Sequence, residues 1–360
     1  MKLTRPWFYD DFVCTAASCS DNCCIGWEID IDEAAMERFS HVGGAFGERL
    51  RAAVQHNGSC PTFAMREGER CALLRDDGLC ELILHEGEDI LCDICALHPR
   101  FFGWYNDTKE AGLGLCCEEV CRLMFSRREK LTFVHGEIDE AGEDNCSVEL
   151  LSYLTAARER LYDILQDRSM QPGSRLLSMS AFIRIIQQRI DDGELVLPDD
   201  ISADNYDVSD VYAVTDALFR LYSEMESVGA PWDERLASLI SHREQLSEKL
   251  GEFLSRQCEE LWRYEHIAVY FLYRHFLSGV FEGEIVSRGG LVCAAVLSCI
   301  LLDELTWLEK GELTEWDRIV SLKLFSKQME YSDENLDAIY DAVWEKELLS
   351  PEVLAGCLLL

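Results

Sequence analysis

Twelve of the 17 cysteines in this 360-residue chain fall between Cys14 and Cys121. They read Cys14-x4-Cys19-x3-Cys23-Cys24, an isolated Cys60, Cys71-x8-Cys80, Cys92-x2-Cys95 and Cys116-Cys117-x3-Cys121. Thiols returned to one another over short loops are soft donors, suited to zinc and to iron–sulfur clusters. The turn Asp76-Asp77-Gly78 helps the chain double back. A zinc finger repeats Cys-x2-Cys, and only one such unit is present; the ferredoxin run Cys-x2-Cys-x2-Cys-x3-Cys-Pro is absent. A Cys-x3-Cys-x2-Cys triplet of the radical-enzyme kind fails because Gly26 stands at its third position. The spacing therefore predicts thiolate-bound metal and leaves zinc and iron–sulfur both open. In the adjacent pair Cys23-Cys24 the two side chains are expected to point apart. The other five cysteines are scattered, and Cys293 and Cys299 read as small buried hydrophobes in an apolar helix.

Two later groupings carry polar chemistry. His266, Tyr270, Tyr273 and Arg274 share about one third of a helix circumference at about 100° per residue. Residues 325–335, including Ser326, Lys327, Glu330, Tyr331 and Asn335, collect polar groups at a helix–helix junction. By spacing alone both read as amphipathic surface. Neither Gly43-Gly44-Ala45-Phe46-Gly47 nor Gly112-Leu113-Gly114 has the strand–turn–helix setting of a nucleotide-binding glycine turn.

The elements that position these residues are mostly helical. Apolar positions recur near 3.6 residues over 148–168 and 174–190. Further helices are expected over 232–281, with a break near Gly251, and over 284–308. Pro231 suits a first helical turn, and Thr314 and Ser332 are predicted N-caps with acidic residues following. The expected fold is mainly α: a cysteine-rich metal-binding module (1–125), an acidic linker (126–145) and a helical domain (146–360), with no Rossmann sheet. With 67 acidic and 33 basic residues the net charge is −34, which opposes nucleic-acid binding. The longest apolar run, 291–302, is shorter than the roughly 20 residues of a membrane span. The opening residues lack a signal peptide's apolar stretch, so a reducing cytoplasm and no membrane partner are expected.

Phe12-Val13-Cys14 through Cys19, Cys23-Cys24 and Gly26-Trp27 resembles the start of the flagellin lysine-N-methylase family. The resemblance continues through Cys71-Ala72-Leu73-Leu74, Gly78-Leu79-Cys80, Cys92-x2-Cys95-Ala96-Leu97-His98-Pro99-Arg100 and residues 115–123. It returns in 270–276 and 325–336. It implies methylation of surface lysines of flagellin, with S-adenosylmethionine as donor and a [4Fe–4S] cluster; zinc is the alternative metal. The family cysteines carried over are Cys14, Cys19, Cys23, Cys24, Cys71, Cys80, Cys92, Cys95 and Cys117, with Cys60, Cys116 and Cys121 as extras. Lys327 stands where Arg is usual, Tyr331 where His is usual, and Glu118 where Pro is expected. By residue type, Glu330, Tyr270 and Tyr273 are the expected catalytic groups, while Arg274, Asn335 and Ser326 are expected to hold the donor. Two alternatives are a non-enzymatic metal-binding or redox-sensing protein and a zinc-stabilised helical scaffold.

Overall fold

Strand β1 (Lys2–Pro6) lies inside a four-stranded sheet ordered β2-β3-β1-β4, with β2 (Arg100–Tyr105), β3 (Thr108–Leu113) and β4 (Phe133–Glu137). In this computed structural model, which describes residues 1–26, 28–56, 58, 60–198 and 206–359, β1 runs parallel to β3 and antiparallel to β4. Thr4 stands opposite Glu110 on one side, and Pro6 opposite Phe133 on the other. Strands β2 and β3 form a hairpin in which Phe101 faces Gly112, and the Phe101 ring fills the space a Gly112 side chain would need. Residues 126–145 are therefore not a linker. Their charge masks one apolar anchor: Phe133 stacks on Tyr162 at 4.9 Å and on Tyr273 at 4.5 Å, which seats β4 on the helices.

Between β1 and β2 the chain leaves the sheet and builds a small module with its own core of Ile29, Ile31, Phe39, Phe46, Leu50, Phe63, Leu73 and Leu74. Helices α1 (Glu33–His41) and α2 (Gly44–Ala52) supply much of it, with two short ribbons and the short helices Glu81–Glu86 and Asp93–Leu97. Asp32 caps α1 by accepting from Ala35 N at 2.7 Å, and its second oxygen accepts from Asp93 N at 2.8 Å. The division expected at residue 125 moves accordingly. Phe8, Tyr105, Leu113, Leu115 and Val120 pack into the large core, and the module is an insertion of about residues 24–97. At its neck the Arg100 guanidinium lies 5.8 Å from the Tyr9 ring and 5.3 Å from that of Phe12.

The rest is helical: α3 (Glu118–Met124), α4 (Val148–Leu165), α5 (Pro172–Asp191), α6 (Val211–Glu224), α7 (Ala230–Arg256), α8 (Trp262–His275), α9 (Val286–Lys310), α10 (Glu315–Glu330), α11 (Asp333–Glu345) and α12 (Pro351–Gly356). Helix α9 is the axis. Every residue from Val286 to Thr306 is buried, and α5, α7, α8, α10, α11 and α12 pack around it. By length and composition α9 could cross a membrane, but 89% of its most apolar stretch is buried inside the protein, as in a core helix. Gly251 does not break α7, because Leu250 and Phe253 are buried on either side; the break comes at Gln257–Leu261 instead. Thr314 caps α10 in a reciprocal capping box with Asp317, and Ser332 caps α11, both as expected.

Candidate functional site

Helix α10 ends on a carboxylate. The last turn of a helix carries partial negative charge, so Glu330 is poorly placed unless cations or donors offset it. Helix α8 supplies them. Arg274 Nε lies 3.1 Å from Oε1, His275 Nε2 lies 3.0 Å from the same oxygen, and the Tyr270 hydroxyl donates to both oxygens at 3.2 and 3.3 Å. Ser326, one turn earlier on α10, donates to Oε2. The Glu330 side chain is 1% exposed. Burial alone would raise its pKa, but the charge of Arg274 and the bonds from His275 and Ser326 outweigh it and hold the carboxyl below its ordinary range. Burial pushes His275 down, so a neutral imidazole donates to Glu330 and faces the Tyr340 hydroxyl at 3.4 Å. The Tyr270 oxygen also accepts from Arg274 Nη1 at 2.8 Å and from Leu115 N at 3.3 Å, which ties the group to the β3–α3 turn. Gly114 in that turn lets Cys116 and Arg274 close in; a Cβ there would lie 3.0 Å from the Cys116 sulfur and 3.4 Å from Arg274 Nη1.

These side chains form an ionised, fully hydrogen-bonded carboxylate in a dry setting. Such a group can hold and orient a cation, and it accepts a proton only if some of its donors move away.

The cysteines divide into two groups. Cys24 lies in the field of Cys71 and Cys80, Cys71 in that of Cys80 and Cys92, Cys80 in that of Cys23 and Cys92, and Cys95 in that of Cys24, Cys80 and Cys92. Thiol pairing lowers the pKa of Cys23 and raises that of Cys24; it does the same for Cys92 and Cys95. Burial pushes Cys71 up to about 11. The second group joins Cys19 to Cys116, Cys117 and Cys121. Cys14 is exposed and stands apart, its sulfur accepting from Ala16 N at 3.4 Å. His98 connects the two groups and the carboxylate site: it bonds Cys23, lies 3.9 Å from the Cys116 sulfur, and its Nε2 is 3.0 Å from the hydroxyl of Tyr331, next to Glu330. The donor chemistry of the first group fits a thiolate-bound metal. With the thiols paired as they are, no three His, Cys, Asp or Glu side chains among the described residues converge as ligands of one ion.

Residues 158–357 match the family described as the FliB lysine N-methylase C-terminal domain, which is more than half of the chain. The chain belongs to this family. Among curated relatives of this FliB family protein, it is 27% identical over 133 residues to the flagellar biosynthetic protein FliU of Salmonella muenchen, covering 33% of this chain and 75% of that protein. It is 24% identical over 126 residues to the lysine-N-methylases of Salmonella choleraesuis and Salmonella typhimurium, covering 33% of this chain and 31% of each of theirs. No solved structure matches. The family match takes in α8 and α10, and so contains Glu330 and all four of its partners.

Of the residues singled out in the sequence, Glu330, Tyr270, Arg274 and Ser326 come together. The expected amphipathic surface is instead interior: Tyr270, Tyr273, His266, Ser326 and Asn335 are all buried. Tyr273 faces away from Glu330 and donates to Thr4 O at 2.9 Å and Ala111 O at 3.0 Å, anchoring α8 to the sheet. Asn335 lies in a separate network, where its amide holds Glu226 N and O and Gln328 O at 2.8–3.0 Å and so fixes the chain before α7. Trp27 of the resemblance lies outside the described residues. Sequence reasoning passed over His275, Tyr340 and His98. His275 could have been found by its place beside Arg274, but Tyr340 and His98 come from elements that only the fold brings near.

Proposed function

We propose that this protein transfers a methyl group from S-adenosylmethionine to surface lysines of flagellin in the cytoplasm, and that its cysteine module holds a [4Fe–4S] cluster. The observation that carries the reading is the buried, ionised Glu330 with its Arg274, His275, Ser326 and Tyr270 partners, lying inside the region that matches the lysine N-methylase family. Two matched Salmonella proteins are named lysine-N-methylases, and FliU is named for flagellar biosynthesis.

Methyl transfer needs a neutral lysine amine, although a free lysine has a pKa of about 10.4. Burial beside the Arg274 cation would disfavour a second positive charge, while Glu330 would orient the ammonium as it enters and receive its proton once a donor shifts. The amine lone pair then forms the N–C bond as the C–S bond of the sulfonium breaks, and the thioether leaves neutral. Arg274 would hold the donor's carboxylate. The carboxylate site is closed, so entry requires movement. The chain around Cys14–Cys24 is the element laid over α10, held there by Asp21, which accepts from Lys327 and pairs with Lys323 at 3.4 Å. Three or four of the thiols of Cys23, Cys24, Cys71, Cys80, Cys92 and Cys95 would hold the cluster. When bound with one iron open, it would offer a coordination position to the amino-acid end of the donor.

The test is co-expression with flagellin, followed by mass spectrometry of flagellin lysines. Added methyl masses that vanish with Glu330→Gln, at unchanged metal content, support the reading. Unchanged lysines with a metal-loaded protein refute the activity. Iron, sulfide and zinc in anaerobically purified protein test the cluster separately: stoichiometric zinc without iron removes it and leaves the methylase reading standing.

A further inference from the structure

The segment Ser126–Lys130 breaks the electrostatic pattern of the molecule. In a chain of net charge −34 it places Arg127, Arg128 and Lys130 within five positions, all exposed. The three are not equivalent. Arg128 is paired with Glu259 at 3.0 Å. Arg127 and Lys130 have no ion pair among the described residues, and the Arg127 guanidinium lies 3.7 Å from the centre of the Trp7 ring. These two cations line an open cleft of about 540 Å³ together with Trp7, Ser126, Glu129 and Thr132. A volume of that order accommodates a few side chains of a bound segment.

The cleft has a fixed frame. Trp7 N donates to Thr132 O at 3.0 Å, Arg128 O accepts from Arg168 at 2.6 Å, and Glu129 O receives His266 Nε2 at 2.8 Å. The Glu129 carboxylate lies in the field of Arg168, so part of its charge is already answered. At Thr132 the cleft runs into β4, an edge strand that among the described residues pairs only with β1. Its outer side is open: Val134 is 46% exposed, and a Cβ on Gly136 would meet nothing within 4 Å. An unpaired strand edge offers main-chain donors and acceptors to an extended peptide.

We propose that the Trp7–Arg127–Lys130 cleft and the β4 edge together dock an extended acidic protein segment, which adds as a strand to β4 and sets its carboxylates on Arg127 and Lys130. The molecule's overall charge repels such a segment elsewhere, so binding is confined to this patch. The chain links the cleft to the carboxylate site. Phe8, which follows Trp7, lines a small apolar gap with Phe101 and Tyr270. The docked segment would then belong to the lysine-bearing substrate, with acidic residues at a fixed distance from the target lysine. That last identification rests on the proposed activity; the docking does not.

Two labelled peptides test it on the full chain by fluorescence anisotropy: an extended Asp/Glu-rich peptide and its Asn/Gln counterpart. The acidic peptide should bind, weakening as salt rises, and the amide peptide should not. The double variant Arg127→Ala/Lys130→Ala should weaken binding about tenfold, and Arg128→Ala should leave it unchanged. The pair Arg127→Lys/Lys130→Arg keeps both charges and should retain binding, which separates lost charge from lost fold. Equal binding of the two peptides, wild-type affinity in the folded double variant, or tighter binding of an oligonucleotide would overturn the proposal. Binding without methylation sinks the activity alone; methylation without binding sinks the docking alone.

Discussion

Glu330→Gln removes a charge but little volume, so it isolates what the buried carboxylate does for the fold. The wild-type group accepts from Arg274, His275, Tyr270 and Ser326. An amide keeps one accepting oxygen and turns two donors toward Ser326 and the Tyr270 hydroxyl, which were themselves donating. Arg274, 19% exposed, loses its counter-ion. Stranding a buried charge costs about 3–5 kcal/mol, and the oxygen that remains recovers part of it, so we expect a loss of about 2–4 kcal/mol at neutral pH. The pH dependence follows from the lowered pKa of Glu330. A carboxyl whose folded pKa lies below its unfolded one contributes stability above the unfolded value, about 4.3, and loses it as pH falls through the folded value. The gap between wild type and variant should therefore be widest at neutral pH and close in acid. Urea unfolding followed by far-ultraviolet circular dichroism measures it, provided the slope is the same for both proteins. Equal midpoints at neutral pH, or a gap that ignores pH, would refute the assigned network.

The two tyrosines of α8 should separate cleanly. Tyr273→Phe loses the hydroxyl proton shared between two sheet carbonyls and about 1–2 kcal/mol of stability with methylation per folded molecule unchanged, whereas Tyr270→Phe suppresses methylation; the opposite pattern would reverse their roles. Glu304 is fully buried, neither carboxyl oxygen has a hydrogen-bond partner among the described residues, and burial pushes its pKa up to about 9. It stays protonated in the fold while the unfolded chain ionises above about 4.3, so stability drains away as pH rises, by about 4 kcal/mol at pH 7. Glu304→Gln should gain on wild type as pH rises from acid to neutral, and parallel stability curves would contradict this. Asp21→Asn should loosen the segment over α10, speeding alkylation of Cys19 and Cys23 while changing global stability by no more than about 1 kcal/mol; unchanged alkylation rates would show the segment is held by something else.

The helices and their caps were legible because their signals are local. Thr314 with Asp317, and Ser332 at the start of α11, act within one turn, where a sequence can be read directly. The sheet was not legible, since β1 pairs with segments more than 100 residues away and its alternation is hidden by Lys2 and Arg5. The candidate site was half legible. Tyr270 and Arg274 are one turn apart and do share a face, but Tyr273 points off toward the sheet, and helix periodicity cannot say which of two flanking faces meets a partner. The cysteines had the right types, but their grouping was decided by the fold. Cys19 joins Cys117 because the loop after β1 lies against α3, where Glu118 accepts from Ser20 N at 2.8 Å, and no spacing rule encodes that.

The neck clasped by Arg100 has a mechanical consequence. Pro6 and Phe101 leave the same end of the sheet two strand spacings apart, roughly 10 Å, so the cysteine module hangs on two neighbouring threads rather than between two bodies. A unit attached in this way can open and close without unthreading its host. Amide exchange should resolve two cooperative blocks, and the module's block should fall below that of α9 when its thiols are unloaded. Uptake of the proposed cluster would then take place on a helical body that is already folded, with the sheet as the fixed frame beside it.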